Sequence, residues 1–291
     1  MKKTVIFLSI TLFGLVLTSW EWKKAQYPTV QKADVIECLN METQQAYQLE
    51  ASTPAFASLH LSPIKVNPND LMGSMISFDA ADGDKANAYF IPVKKKSNKW
   101  LIVIQEWWGL NDNIKMEADQ YFKDLGDMNV IAVDMYDGKI AATPDSAMKL
   151  MRGADMKRMT AIIQGAIKHA GSKANIYSVG WCFGGMWSLQ TAILAGPQAK
   201  GSVMYYGRPE TNMEKLKSIQ CDIIGFFGNK DQAPSPAMVD DFEKNMKEAG
   251  KNLAVNRYDA GHGFANPSNP SFNAAAKADA YTKAIAFLKS H

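Results

Sequence analysis

The chain has 291 residues, of which 47% are hydrophobic and 21% are charged. This composition is that of a folded protein with a substantial core, and it excludes a disordered chain. Lys and Arg number 32 against 29 Asp and Glu, so the net charge of +3 gives no strongly basic surface that would favour nucleic acid or anionic lipid as a partner. Three cysteines are too few for a disulfide scaffold. The four histidines have no close pairing with one another or with the cysteines, so the sequence predicts no metal site.

Residues 1–19 have the pattern of an export signal. Two lysines precede an uncharged run that ends at Ser19, and the apolar part of this run is too short to span a bilayer comfortably. A signal peptidase cut before Trp20 would release a periplasmic or secreted protein with no stable membrane insertion, because no cysteine stands at the cut to carry a lipid. The alternative is that the segment is retained as an uncleaved anchor.

Residues 20–65 differ in pattern from the chain that follows. They contain three prolines and no clear strand pattern, with short helical pieces predicted at residues 47–51 and 55–59. We interpret them as an N-terminal extension that packs on the main domain as a lid or strap, and a role in gating substrate is the alternative. Residues 66–291 are then the main domain.

From about residue 70 onward, short apolar runs alternate with stretches of helical periodicity. Asn111 and Gly126 are suited to begin and end one helix, and Ser235 with Pro236 is suited to begin another. This alternation predicts an α/β fold with a mostly parallel sheet covered by helices on both faces. Active sites of such sheets lie at the carboxyl ends of the strands. The predicted strands cover residues 100–104, 130–133, 176–179, 202–206, 223–227 and 253–258.

A cysteine follows one of these predicted strands in the sequence GWCFGG, residues 180–185. A nucleophile on a sharp strand-to-helix turn is held in a strained conformation, which requires very small residues two positions before and two after it. Gly180 and Gly184 meet this requirement around Cys182. The turn also puts Cys182 at a helix N-terminus, where the helix dipole favours a thiolate. We therefore predict that Cys182 is a nucleophile.

An acid and a histidine follow the last two predicted strands. Asp231 lies in GNKD after residues 223–227, and His262 lies in GHGF after residues 253–258. Nucleophile, acid and histidine in this chain order are expected of a hydrolase on such a sheet, where the histidine moves the proton and the acid orients the histidine. The remaining histidines have no comparable context, and we interpret them as structural or surface residues: His60, His169 and His291.

The loop after the first predicted strand carries QEWWG, residues 105–109. In this fold that loop supplies the second backbone donor of an oxyanion hole, so the predicted donors are the N–H groups of Phe183 and Trp107. Glu106 should lie close to the cysteine and be largely shielded from water, which is unusual for a glutamate with a purely structural role.

The motifs QEWWGLN, GWCFGG, GNKD and GHGF together resemble those of the dienelactone hydrolase family of α/β-hydrolases, from about residue 70 to the C-terminus. The resemblance implies an α/β-hydrolase fold, with Cys182 as nucleophile and Asp231 and His262 as its partners. It also implies that Glu106 acts as a switch, which contacts the resting thiol and swings away when substrate binds. The resemblance implies no metal or organic cofactor.

One position departs from the family pattern. Members that act on dienelactones hold the substrate carboxylate with arginines, one of them four residues after the histidine, where this chain has Asn266. Aromatic residues crowd the motifs instead, so we predict a pocket for neutral, apolar or aromatic substrates that includes Trp108, Trp181, Phe264 and Asn266. The expected partner is a small-molecule ester or lactone with an enol or aryl leaving group.

Other activities remain open at this point. The same three residues could catalyse a different acyl transfer or peptide hydrolysis. A catalytically silent binding protein on the same fold is a second alternative. A thiol-based redox protein is a third, although the sequence has no C-x-x-C pair. The sequence predicts neither the natural substrate nor the oligomeric state.

Overall fold

The structure is a computed structural model, and it describes residues 43–58, 60, 62–64 and 71–291. The predicted signal segment, residues 1–19, and its cleavage site lie outside the described residues. We call the described part of residues 43–64 the N-terminal strap. In the described part of the chain, no helix is long and apolar enough to cross a membrane.

The described residues form one eight-stranded sheet. Its strands are β1 (Ser74–Asp79), β2 (Lys85–Ile91), β3 (Lys99–Ile104), β4 (Asn129–Val133), β5 (Asn175–Trp181), β6 (Ala199–Tyr205), β7 (Asp222–Gly228) and β8 (Leu253–Tyr258). The spatial order is β1-β2-β4-β3-β5-β6-β7-β8. Strands β1 and β2 pair antiparallel with each other, β2 is antiparallel to β4, and all pairs from β4 to β8 are parallel. The prediction of a mostly parallel sheet is confirmed.

Helices flank the sheet on both faces. They are α1 (Thr43–Ala51), α2 (Pro54–Ser58), α3 (Asp112–Leu125), α4 (Pro144–Arg152), α5 (Met156–Ala170), α6 (Phe183–Ala195), α7 (Met213–Ser218), α8 (Pro236–Glu248) and α9 (Ala274–Ser290). Helices α3 and α9 contact each other on one face, and α5 and α6 contact each other on the other face. The predicted caps are confirmed: the Asn111 side chain accepts the N–H of Ile114, Gly126 ends α3 with φ 77°, and Ser235 begins α8.

The order of the strands positions the site. The chain runs from β3 outward to β4 and then returns to place β5 on the other side of β3, so the connections diverge between β3 and β5. Loops at the carboxyl ends of the strands leave a crevice at such a point. Ile104 of β3 lies opposite Gly180 of β5 in the register of the two strands. Glu106 and Cys182 each lie two residues beyond this pair, so they occupy equivalent positions after the two strands.

The N-terminal strap packs on the domain next to this crevice. Helices α1 and α2 both contact α4, and the strap buries Tyr47, Ala51, Phe56 and His60. The helical pieces predicted at residues 47–51 and 55–59 overlap α1 and α2, and four elements were not predicted from the sequence, namely β1, β2, α4 and α7. The first strand alternates between exposed and partly buried positions and so lacks the continuous apolar run that marks the inner strands.

Candidate active site

Cys182 lies on the predicted turn between β5 and α6. Its backbone has φ 57° and ψ −117°, which is strained for a residue with a side chain. A Cβ atom on Gly180 would lie 2.1 Å from the carbonyl oxygen of Gly184, and a Cβ on Gly184 would lie 2.3 Å from the carbonyl oxygen of Ile104. The turn therefore closes only with glycine at both positions. The N–H of Cys182 donates to the carbonyl of Tyr205 at 2.9 Å, which fixes the turn to β6.

The three residues predicted to act together are in contact. Nε2 of His262 lies 3.1 Å from Sγ of Cys182, and Nδ1 of His262 lies 2.8 Å from Oδ2 of Asp231. The other carboxylate oxygen of Asp231 accepts the N–H of Ala233 at 2.9 Å, which holds the carboxylate in place. With Nδ1 committed to Asp231, the imidazole can take a proton from the thiol through Nε2.

Electrostatic contacts favour a charged imidazole at His262. Burial by itself would lower the pKa of His262, but the Asp231 carboxylate and the Cys182 sulfur beside it raise that pKa well above its usual value. Asp231, Cys182 and His262 are all buried. Buried charges of this kind are stabilised only when they are paired and hydrogen-bonded, as they are in this array.

Glu106 is close to this array but bonds elsewhere. Its Oε2 accepts Nδ2 of Asn266 at 2.7 Å, and its Oε1 accepts the hydroxyl of Tyr206 at 3.5 Å. Burial raises the pKa of Glu106 to about 7, while the positive charge of His262 and the bond from Asn266 oppose that rise. The carboxyl is thus turned toward Asn266. The family resemblance implied that Glu106 contacts the resting thiol, but in this structure residues of the strap contact the thiol instead.

Two strap residues that the sequence did not single out lie at the cysteine. The hydroxyl of Tyr47 is 3.0 Å from Sγ of Cys182, and Nε2 of His60 is 3.9 Å from the same sulfur. Burial and the neighbouring His262 lower the pKa of His60 to about 3, so this imidazole is neutral at ordinary pH. The interpretation of His60 as a structural or surface residue is therefore incomplete. No motif surrounds either residue, and only the folded chain brings them to the sulfur.

Aromatic rings enclose the imidazoles. His60 stacks on Phe56 with ring centroids 4.3 Å apart and lies 4.8 Å from Trp107. Tyr206 lies 5.1 Å from His262. The enclosure leaves the Cys182 side chain only 2% exposed. A substrate can reach the sulfur only after some of these groups move.

A cavity of about 250 Å³ opens beside this enclosure. Aromatic and aliphatic side chains form most of its wall, and a smaller number of polar groups face it. Three residues predicted for the substrate pocket line it, namely Trp108, Trp181 and Asn266. The strap contributes Pro63 and Ile64. Cys182 does not line the cavity, whereas Glu106 does.

The prediction for Phe264 does not fit this cavity. Phe264 is fully buried and packs against Tyr206 and Tyr258, with ring centroids 5.3 and 5.0 Å apart. Tyr206 lines the cavity, so Phe264 lies one layer further into the core. The aromatic residue of the GHGF motif supports the wall and is not itself part of it.

Phe183 and Trp107, the two predicted oxyanion donors, occupy equivalent positions on neighbouring loops. Phe183 is the first residue of α6, where a backbone N–H has no partner within the helix. Trp107 lies three residues past Ile104, and Phe183 lies three residues past its partner Gly180 in the register. The two loops thus run side by side from neighbouring parallel strands.

Comparison with known proteins agrees with this geometry. The sequence matches the dienelactone hydrolase family over residues 86–291, more than half of the chain. The chain belongs to the dienelactone hydrolase family. It is therefore an α/β-hydrolase of the class that acts on ester or lactone bonds, and the prediction of this family from four short motifs is confirmed.

Individual relatives of this dienelactone hydrolase family member are distant. The chain is 29% identical to protein usf of Aquifex pyrophilus, over 76% of this chain and 99% of the relative. It is 24% identical to carboxymethylenebutenolidase 1 of Cupriavidus pinatubonensis, over 75% of this chain and 97% of the relative. A solved dienelactone hydrolase-like promiscuous phosphotriesterase from metagenomic libraries has the same fold, with a TM-score of 0.63, 22% identity and coverage of 75% of this chain and 98% of the other.

The family match and the strap do not overlap. Strand β1 and the N-terminal strap precede residue 86, where the match begins. Tyr47 and His60 therefore reach Cys182 from a part of the chain that precedes the matched residues 86–291. The family pattern accounts for the cysteine, acid and histidine, and the strap adds two further polar groups to them.

Proposed function

We propose that the protein hydrolyses an activated ester or lactone through an acyl-enzyme on Cys182. The observation that carries the proposal is the continuous array from Sγ of Cys182 through His262 to Asp231, with contacts of 3.1 and 2.8 Å. This array has the contacts that activation of a nucleophile requires, in which the base is oriented by a third group. It lies at the carboxyl end of a parallel sheet, where such folds carry their active sites.

In the first half of the reaction, the Cys182 thiolate adds to the substrate carbonyl. The carbonyl electron pair moves onto oxygen, where the N–H groups of Phe183 and Trp107 would stabilise the negative charge. The intermediate then collapses, the bond to the leaving oxygen breaks, and His262 gives its proton to that oxygen. The acyl group remains on sulfur as a thioester.

In the second half, water replaces the leaving group. His262, now neutral, takes a proton from water as the water oxygen adds to the thioester carbonyl. Collapse releases the acid and returns Cys182 as a thiolate beside a protonated His262. Asp231 keeps its contact with Nδ1 throughout, so the same Nε2 atom handles the proton in both halves.

Leaving-group chemistry narrows the substrate class. A thiolate is much less basic than an alkoxide, so an intermediate formed from a simple alkyl ester tends to expel the thiolate and return to reactants. Enol and aryl oxygens are less basic and compete with sulfur as leaving groups. We expect enol lactones, aryl esters and thioesters to be cleaved in preference to ethyl esters of the same acid.

The cavity favours neutral acyl groups. Asn266 stands where family members with a carboxylate-binding arginine would have a positive charge, and it donates to Glu106. The cationic side chain at the cavity, Lys277, pairs with Glu117, which also lines the cavity. A carboxylate on the substrate would therefore meet Glu106 and Glu117 with little net positive charge, whereas Trp108 and Trp181 can pack against an aromatic acyl group.

The test is hydrolysis of matched phenyl and ethyl esters of benzoic acid by purified wild type, Cys182→Ala and Cys221→Ser. Cys221 is half-buried and outside the array, so its variant is the matched control. We expect Cys182→Ala to lose more than 1,000-fold in kcat/KM on the phenyl ester, on the order of the loss seen when a nucleophile is removed, and Cys221→Ser to match wild type. A mass increase equal to the acyl group on wild type, absent in Cys182→Ala, identifies the intermediate.

Three results would overturn the proposal. Activity of Cys182→Ala within tenfold of wild type removes the cysteine from the mechanism. Equal rates on phenyl and ethyl esters contradict the leaving-group argument. No hydrolysis by wild type, with an intact fold, favours the silent binding protein, and turnover of a peroxide by wild type in its place favours the redox protein.

We also propose that the protein is exported. The support is the N-terminal pattern of two lysines, an apolar run and small residues before Trp20. Fractionation of cells that express the full chain, followed by mass measurement of the intact product, tests it. A chain in the periplasm or medium that begins at Trp20 fits the proposal, and a chain that keeps Met1 and stays with the membrane fits the uncleaved anchor.

A further inference from the structure

Three potential metal ligands meet at the point where the strap covers the domain. The donor atoms of His60, Cys182 and His262 all lie within 4.8 Å of one another, and all three side chains are buried. Two of these residues belong to the array described above, and the third comes from the strap. We propose that His60, Cys182 and His262 form a binding site for Zn²⁺, with Sγ and the two Nε2 atoms as ligands.

The distances suit a tetrahedral ion. Zn²⁺ binds thiolate sulfur at about 2.3 Å and imidazole nitrogen at about 2.0–2.1 Å, so a sulfur and a nitrogen on one tetrahedral zinc are about 3.5 Å apart. From Sγ of Cys182, Nε2 of His262 lies at 3.1 Å and Nε2 of His60 at 3.9 Å. These two values bracket the required separation. The two Nε2 atoms, which lie within 4.8 Å of each other, would be about 3.3 Å apart on the same ion, so completing the site requires one ring to shift by up to about 1.5 Å.

Both imidazoles direct Nε2, the nitrogen that a metal needs, toward the sulfur of Cys182, and His262 must release its Nε2 proton to bind the ion. Nδ1 of His60 lies 2.7 Å from the carbonyl oxygen of Phe56, which requires the proton on Nδ1 and leaves Nε2 with its lone pair. Nδ1 of His262 lies 2.8 Å from Asp231. A carbonyl or a carboxylate on the second ring nitrogen is the usual partner of a metal-binding histidine, because it fixes the tautomer and the direction of the ring.

The third ligand is also supported. The Tyr47 hydroxyl lies 3.0 Å from Sγ of Cys182 and can donate to the sulfur when the sulfur is a thiolate. One thiolate and two imidazoles favour Zn²⁺ over Mg²⁺ and Ca²⁺, which prefer oxygen ligands. Three protein ligands leave a fourth coordination position open.

A bound Zn²⁺ ion would link the strap to the domain, because His60 belongs to the strap and Cys182 and His262 belong to the domain. Binding would displace into solvent the proton shared by Cys182 and His262, because a metal requires the deprotonated forms. The sulfur electron pair that would attack a carbonyl is then engaged by the ion. Reversible inhibition of hydrolysis by Zn²⁺ follows, and this consequence alone rests on the proposed function.

The first test uses Co²⁺ alone, because this ion adopts tetrahedral sites and absorbs light where Zn²⁺ does not. Reduced, metal-free wild type titrated with Co²⁺ should develop a thiolate-to-cobalt band in the near ultraviolet that saturates at one ion per chain, and Zn²⁺ should abolish it. Cys182→Ala should lose this band. Cys221→Ser and His169→Ala, which alter a cysteine and a histidine elsewhere, should keep it.

The second test measures Zn²⁺ affinity by competition with a coloured chelator. Replacing His60 with Asn or with Gln removes a direct ligand, so the loss should exceed the roughly 10–100-fold that follows from removing a hydrogen bond to a metal ligand. Two different substitutions, each checked by circular dichroism, separate loss of the ligand from loss of the fold. In wild type, Zn²⁺ should also protect Cys182 from iodoacetamide, and EDTA should reverse this protection.

The outcomes separate the two proposals. The metal site is overturned by an absent thiolate band, by His60 variants that bind Zn²⁺ as tightly as wild type, or by loss of the band in Cys221→Ser. None of these readouts requires hydrolysis. If the band and the affinity loss are found without any esterase activity, the metal site stands and the proposed function fails. If hydrolysis depends on Cys182 and the band is absent, the proposed function stands and the metal site fails.

Discussion

Cys182 belongs to the domain, residues 71–291, and is also contacted by the N-terminal strap. These two regions position their side chains in different ways. The domain holds the cysteine through a strained turn between β5 and α6, with glycine packed against backbone on each side. Its neighbouring parallel strands fix where Asp231 and His262 emerge. The positions of these groups therefore follow from the backbone of the sheet.

The strap is held by side-chain contacts rather than by strand pairing. Gln48 donates to the carbonyl of Met151 at the end of α4, Glu50 pairs with Arg208, and Thr43 donates to Glu210. Tyr47, Ala51 and Phe56 of the strap are also buried in the core, so opening of the strap would cost these apolar contacts as well, while the sheet stays folded. We therefore expect the domain to supply the reacting groups and the strap to control access to them.

The turn at Gly180 is where the domain should be most sensitive. Alanine at this position would put its Cβ 2.1 Å from the backbone of Gly184, and the backbone has little room to yield. We expect Gly180→Ala to lower the free energy of unfolding by about 3–5 kcal/mol, within the range of severe overpacking, and to abolish hydrolysis. Urea denaturation and the phenyl ester assay measure the two effects.

Gly153 is the matched control for this change. It has φ −88°, and a Cβ there would meet nothing closer than 3.5 Å. Gly153→Ala should change the unfolding free energy by no more than about 1 kcal/mol. If the two variants were equally stable, backbone crowding at Gly180 would not be what holds the turn.

Glu106 makes the stability of the domain depend on pH. Burial raises the pKa of Glu106 from its usual 4.5 to about 7, so the folded chain binds more protons than the unfolded chain between these pH values. The stability from this group is complete below about pH 4.5 and is lost as pH rises through 7. The total is about 3 kcal/mol, at 1.36 kcal/mol per unit of pKa.

Replacing Glu106 with Gln keeps an acceptor for Asn266 and removes the titration. Relative to wild type, the unfolding free energy of Glu106→Gln should therefore increase from pH 5 to pH 8, by up to about 3 kcal/mol. Denaturation at three pH values measures this difference. Glu214→Gln, at an exposed carboxyl, is the control and should show a constant difference. A constant difference for Glu106→Gln as well would mean that the buried carboxyl stays charged.

Most of the domain could be predicted from sequence because its signals are local. Mostly apolar runs marked all six parallel strands. Asn111 and Ser235 marked helix starts through side chains that cap the first turn, and Gly126 marked a helix end through its positive φ. The strand predicted at residues 202–206 starts three residues late and runs one residue too far, since β6 covers Ala199–Tyr205 and Tyr206 has φ 37°. Strands β1 and β2 were missed because β1 is an edge strand with mostly exposed residues and β2 begins with alternating exposed and buried positions, so neither carries the continuous apolar run of the inner strands.

The site was predictable only where it depends on strand ends. Glycine spacing around Cys182 and the order of Asp231 and His262 are readable along the chain. Tyr47 and His60 reach the sulfur through packing of the strap on α4, which no local pattern encodes. The prediction of no metal site rested on sequence spacing, and spacing does not reveal that His60 lies beside Cys182 in the fold.

The ion pair between Glu50 and Arg208 tests whether the strap controls access. Both side chains are largely buried, so Arg208→Ala leaves a carboxyl with reduced solvation and no partner, at a cost of about 2 kcal/mol. If the strap opens as a unit, that cost increases the exposed fraction of Cys182, and alkylation by iodoacetamide should be faster by roughly tenfold or more. Pseudo-first-order alkylation rates measure the change.

A second arginine gives the control. Arg257 pairs with Asp240 and Glu243 on the domain surface, away from the strap. Arg257→Ala should leave the alkylation rate of Cys182 within about twofold of wild type, since exposed pairs contribute little to stability. Equal acceleration by both arginine variants would show that general loosening, and not release of the strap, exposes the cysteine.

The contact between Tyr47 and Cys182 should have the smallest effect, because a single hydroxyl is involved. Tyr47→Phe keeps the ring, which packs on Phe56 and Phe183, and removes only the atom that lies 3.0 Å from Sγ. A typical buried hydrogen bond contributes about 1 kcal/mol to folding, so the unfolding free energy should fall by about that amount.

Tyr177→Phe is the control, because the Tyr177 hydroxyl is buried with no hydrogen-bond partner among the residues that the structure describes. That change should be neutral or slightly stabilising. If both variants lose the same stability, the Tyr47 hydroxyl gains nothing from the sulfur, and the strap is held by its packing and its other polar contacts.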